Sequence, residues 1–167
     1  YNHRIGKAAK DYMAEAGLEY TPPNEYTPLD KNFHKRVSQA YQDMKHDPDN
    51  PDVQAAYQAL ADETIAQYKA VTKAGLKVEF FYKEDPYADN PRMATDDITK
   101  NNHFWVFPTR DGFGSDATFD PTGNPMLQES EFTISGQKAL VNDLFRVVHD
   151  YFGHAKEGVG FRAGGEE

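Results

Sequence analysis

Apolar residues recur at steps of three and four through most of the first half of the chain. Over about residues 2–16, Ile5, Ala8, Ala9, Tyr12 and Met13 share one face and Gly17 supplies a stop, which predicts a first helix. Residues 21–28 are too proline-rich for regular structure and read as an extended segment. Asp30 is a good N-cap for a second helix to about His46, whose stripe is Phe33, Val37, Ala40, Tyr41 and Met44. The run His46-Asp47-Pro48-Asp49-Asn50-Pro51 then breaks the chain. A third helix comes next over residues 51–74, with proline in its first turn and Gly75 after its end. The second and third helices are expected to form an antiparallel pair across this short turn.

At Leu76 the period changes. Residues 77–82 alternate and are rich in aromatic and branched side chains, so a strand is predicted. After Asp-Pro and Asn-Pro breaks comes a short helix through Met93 and Ile98, then residues 103–107, apolar on both faces as in the middle of a sheet. Residues 108–133 read as a long loop, of the kind that carries function, with a short strand near residues 126–132. Leu140, Val141, Leu144, Phe145, Val148, Tyr151 and Phe152 then mark a final amphipathic helix over residues 135–154, capped by Ser135 and stopped by Gly153. The fold class this predicts is α+β: a helical N-terminal half, a small aromatic-rich sheet, and a C-terminal helix packed on that sheet.

Composition narrows the picture. The length of 167 residues suits one domain, and a start at Tyr1 with an end just after a Gly-Gly pair suggests a fragment of a longer protein. The 11 Phe, 10 Tyr and 1 Trp predict an aromatic-rich core. A net charge of −9 argues against nucleic acid as a partner, because phosphate binding needs a basic face. No apolar run reaches the length of a membrane helix and no signal-peptide core is visible, so no membrane partner is expected. With no cysteine, any metal must be held by His, Asp and Glu, which suits iron, manganese, zinc or magnesium.

The densest candidate chemistry is His149, Asp150 and His154, delivered together at the end of the final helix. On an ideal helix residues five apart point roughly 140° from each other. The two imidazoles converge only if the helix breaks or widens after Tyr151, which Gly153 permits, and widened turns are a device of functional sites. The negative end of the helix dipole favours a cation there. A second reading stays open beside this one. His149 caps the last carbonyls, Gly153 is an ordinary stop, His154 lies on the surface, and Arg146 pairs with Asp150 and Asp143.

A facial triad needs one carboxylate besides two histidines. Glu166 or Glu167 can return to the site, since the intervening stretch holds Gly158, Gly160, Gly164 and Gly165. Asp150 suits a partner that orients an imidazole. His103 is the reserve third ligand, and Glu129 and Glu131 are further carboxylates.

The string His149-Asp150-Tyr151-Phe152-Gly153-His154 resembles the H-E-x-x-G-H segment of the aromatic amino acid hydroxylases, with Asp150 in place of their Glu. In that family two histidines five apart and a later glutamate hold a non-haem iron. The His149-Asp150 doublet also resembles that of the HD phosphohydrolases, a family that needs another histidine on an earlier helix; His103, the nearby candidate, sits in a strand-like run. Residues 142–167, ending in Gly165-Glu166-Glu167, are similar to segments of uncharacterised phage and marine environmental proteins, a resemblance that implies no settled activity. Together these imply a divalent-metal site (iron, zinc or manganese) of non-haem-iron or metal-dependent-hydrolase type, with a small-molecule substrate. The alternative is a non-catalytic structural module of a large phage or virion-associated protein, with virion proteins as partners. The expected location is cytoplasmic or virion-associated.

Overall fold

The computed structural model describes residues 1–22, 30–88, 90–113, 118–161 and 166. Helix α1, His3–Glu15, starts where the Asn2 side chain accepts the Ile5 N–H and ends before Gly17, whose φ of 72° is the left-handed conformation a helix stop uses. Helix α2, Lys31–Asp43, is capped by Asp30, whose carboxylate accepts the Phe33 N–H at 2.7 Å. Helix α3, Pro51–Lys73, has proline in its first turn and Gly75 (φ 87°) beyond its end. The expected pairing of the second and third helices does not form: no residue of α2 is buried. A helical period fixes which face is apolar but not what covers it.

Strand β1, Lys77–Phe80, helix α4, Pro91–Asn101, and strand β2, His103–Val106, make a β-α-β unit whose two strands run parallel. Strands β3, Glu129–Ile134, and β4, Gln137–Leu140, form a separate antiparallel hairpin. The predicted single aromatic-rich sheet is therefore two small sheets, and Phe132 is the one aromatic residue of the hairpin strands. The Ser135 hydroxyl joins the two sheets by accepting the Phe80 N–H at 2.9 Å.

Ser135 is thus not a helix cap. Ser135 (φ 49°) and Gly136 (φ 78°) are the two turn residues of the hairpin, both in the left-handed region that primed turns require. The last regular helix, α5, Val141–Val148, begins five residues later than the predicted start near residue 136. Its first turn is fixed by the buried Asp143, whose carboxylate accepts the N–H groups of Leu140 and Thr109 at 2.8 Å and the Thr109 hydroxyl at 2.6 Å.

One core joins α1 (Ile5, Ala8), α3 (Tyr68, Val71), both sheets (Phe80, Phe104, Val106, Ile134, Ala139) and α5 (Leu144, Val147, Val148). Helix α5 therefore packs against strands as expected, with α3 on the same core. The core is not aromatic-rich: aliphatic side chains fill most of it, and Tyr68, Phe80, Phe104 and Tyr151 are its buried aromatics among the described residues. Many other aromatic residues are half-buried around a cleft instead.

The β-α-β unit carries an ionic clamp. His103 Nδ1 lies 2.6 Å from Asp97 Oδ2, and its Nε2 lies 2.6 Å from Glu79 Oε2. An acceptor at each ring nitrogen calls for a proton on both, so His103 is an imidazolium donating to two carboxylates. Burial works against that charge, but the bonds to Asp97 and Glu79 win and raise the His103 pKa. Burial likewise opposes the Asp97 charge, yet hydrogen bonds from Tyr87, His103 and Asn101 leave its pKa lowered. The Tyr87 hydroxyl donates to Asp97 at 2.6 Å and accepts the Trp105 N–H at 2.8 Å, tying the clamp to β2.

The clamp predicts a stability window. The raised His103 pKa contributes stability that is fully present below 6.5, its ordinary value, and is lost as pH rises through the folded-state value. The lowered Asp97 pKa contributes stability present above 3.8, its ordinary value, and lost as pH falls through the folded-state value. Urea unfolding of wild type and His103→Gln is expected to differ most between those two pH values and to converge at alkaline pH. A difference that grows above neutrality would contradict a charged clamp.

Candidate metal centre

Beyond Val148 the helix does not stop; it widens. His149–Ala155 is π-helical, a conformation in which a backbone N–H bonds five residues back. The Lys156 N–H does so, reaching the Tyr151 carbonyl at 3.0 Å. This pitch stacks residues five apart, which a regular helix holds on different sides. His149 and His154 are such a pair, and their Nε2 atoms come within 3.1 Å.

The predicted convergence is therefore present, by widening from His149 onward rather than by a break after Tyr151. Gly153 lies inside the widened segment and is not its stop. Gly158, with φ at 74°, takes the left-handed role, and its N–H reaches the His154 carbonyl at 2.8 Å. His154 is not on the surface either: it is 1% exposed.

Glu166 completes the group. Its Oε2 lies 3.1 Å from His149 Nε2 and its Oε1 lies 3.3 Å from His154 Nε2. The three side chains form a triangle of ligand groups whose closest approaches are 3.1, 3.1 and 3.3 Å, the two carboxylate contacts using different oxygens. One ligand atom from each can be chosen so that all lie within 4.8 Å of one another. Ligands at right angles around an ion ~2.1 Å away stand roughly 3 Å apart, and the two imidazole nitrogens have that separation. His154 Nδ1 faces the Val159 carbonyl at 3.3 Å, a partner that only accepts. Its proton therefore sits on Nδ1, and the Nε2 lone pair is left for the triangle. The His154 ring also stacks on Phe161, with centroids 4.1 Å apart, which holds its plane.

The other candidate residues fall out differently. Asp150 lines the adjoining cleft but makes no hydrogen bond to either imidazole among the described residues. Burial pushes its carboxyl above the ordinary value, only partly countered by the two histidines. Arg146 pairs with neither Asp150 nor Asp143 among the described residues. Its guanidinium reaches the Phe107 carbonyl at 3.4 Å, while Asp143 is used by Thr109 and Leu140. His103 is not drawn to the pair, since both its nitrogens are taken. Glu129 bonds Arg110 and Glu131 bonds Lys69. Glu167 lies outside the described residues.

Beside the triangle opens a cleft of about 560 Å³ walled by Phe81, Tyr87, Trp105, Phe107, Phe145 and Phe161, with Arg146, His149, Asp150 and Glu166 in its lining. Sequence reasoning missed this wall. Its residues come from the loop after β1, from β2 and the position just beyond its end, and from α5, and no local spacing links them. Phe161 carried no signal at all, standing alone in a glycine-rich stretch.

No protein-family model, curated protein or solved structure matches this chain.

The two glycines of this segment should respond oppositely. A Cβ at Gly153 would meet nothing within 4 Å, and its φ is not left-handed. Gly153→Ala is expected to raise stability by about 0.5–1 kcal/mol. Gly158→Ala, at φ 74°, should lower it by about 1 kcal/mol. Thermal or urea unfolding checks both, and a destabilised Gly153→Ala would return the helix stop to that residue.

Proposed function

We propose that His149, His154 and Glu166 hold a divalent metal ion as a facial set of two histidines and one carboxylate. The site adjoins the aromatic-walled cleft, which His149 and Glu166 help to line, in a domain that is an enzyme or descends from one. The observation that carries this reading is the triangle itself. Two imidazole nitrogens and a carboxylate, all electron-rich, stand about 3 Å apart and repel unless a cation or proton lies between them.

The donor set suits iron, zinc or manganese, and such an ion supplies Lewis acidity to activate water or dioxygen. The protein's own share is positional. His154 is immobilised by burial, by its bond to Val159 and by Phe161. His149 and Glu166 are each 42% exposed, which leaves a path for the ion to enter. The cleft wall suits a small molecule with an apolar, flat body, and Arg146 offers it a cation. Nucleic acid is disfavoured by the net charge of −9. Among the described residues no helix is long and apolar enough to cross a membrane.

A second reading, a non-catalytic module of a larger virion-associated protein, draws on the complete burial of His154, which bracing of the helix end also explains.

Elemental analysis of protein purified without a histidine tag separates the two. The metal reading expects close to one iron, zinc or manganese per chain, lost in His149→Ala/His154→Ala. Metal at about a hundred times its Kd should stabilise the wild type by about 2.7 kcal/mol and leave the double variant unmoved. A chelator without effect on wild-type metal content or unfolding, beside a variant that is less stable, would leave the bracing reading.

A further inference from the structure

Helix α2 presents an anomaly that the metal site does not absorb. It is amphipathic, yet Phe33, Val37, Tyr41 and Met44 are 39%, 51%, 75% and 67% exposed. The start of α3 continues the pattern with Val53, Tyr57 and Leu60, also exposed. A 13-residue helix is marginal alone in water and needs its apolar face covered. Apolar side chains left exposed along a whole helix face mark an interaction site.

We propose that this face is buried in a homodimer, with α2 of one chain lying antiparallel to α2 of a second copy and the first turns of α3 flanking the pair. Spacing is the first argument. Phe33, Val37, Ala40 and Met44 are separated by four, three and four residues, the seam of a two-stranded helical pair, and Val53, Tyr57 and Leu60 repeat the four-three step.

Charge is the second, and it selects both the partner and its direction. The start of α2 carries Asp30, Lys31, Lys35 and Arg36, a net +2, and its end with the turn beyond carries Asp43, Lys45, Asp47 and Asp49, a net −2. When Phe33 faces the partner's Met44 and Val37 faces the partner's Ala40, Arg36, which flanks the stripe on the same side as Asp43, comes beside the partner's Asp43, while Lys31 and Lys35 lie on the outer face. A parallel pair would set basic start on basic start. The antiparallel pair is two-fold symmetric, so each such contact occurs twice. A second copy therefore supplies both the apolar stripe and the opposite charge, whereas an anionic membrane would face a chain of net charge −9.

Sedimentation equilibrium of the full chain tests this, with circular dichroism to confirm that each variant stays folded. The expected result is a concentration-dependent dimer whose Kd rises about tenfold or more in Val37→Asp. Arg36→Glu and Asp43→Arg should each weaken self-association, and an equimolar mixture of the two should form heterodimers again. A monomer at all concentrations overturns the proposal. So does a dimer indifferent to Val37→Asp. Loss with Val37→Asp but no response to either charge reversal overturns the antiparallel arrangement. None of these outcomes depends on metal, so the metal reading can fail or hold separately.

Discussion

The candidate site depends on one departure from regular backbone, the i→i+5 turn at His149–Ala155. In a regular helix the two imidazoles diverge and the group of three does not exist. A widened turn persists only where its surroundings over-determine it. Here Tyr151 and Ala155 are locked into the same core as Ile5, Ala8 and Ile98. The Asn2 N–H donates to the Lys156 carbonyl at 3.0 Å, so the start of α1 holds the end of the turn. Packing by α1 and α4 thereby sustains chemistry on a different part of the chain.

The two histidine environments show how context sorts one residue type into two tasks. His103 lies between carboxylates at 2.6 Å on either side, which favours a proton on both nitrogens and leaves no lone pair for a metal. His149 and His154 point nitrogens at each other and at a single carboxylate, an arrangement that favours free lone pairs and a cation between them. Under the proposed metal reading, a count of nearby acidic groups ranks these two sites in the wrong order. The deciding property is whether the nitrogens face carboxylates or one another.

Helix positions were legible where caps and period agreed: Asn2 or Asp30 at a start, Gly17 or Gly75 at an end, with threes and fours between. The final helix misled because Leu140, an inward residue of β4, falls in phase with the helical stripe of α5. Ser135-Gly136 is also a weaker hairpin signal than Asn-Gly. The five-residue histidine spacing and a later glutamate pointed to the triangle, since ligand chemistry is local in sequence. The cleft was illegible because its wall gathers residues from 81 to 161. Aromatic content was visible, but not its placement at half-burial rather than in the core.

The widened turn is in effect one residue more than a helix needs. Histidines four apart would already stack in regular helix. An added residue shifts by about 100° the direction in which all later backbone departs. Val159 and Phe161 lie against His154, and Glu166 against both histidines. Ligand alignment and chain exit are thus one variable, set by a residue count. A helix shortened by one residue would keep its histidines together and turn the chain after them by about 100°.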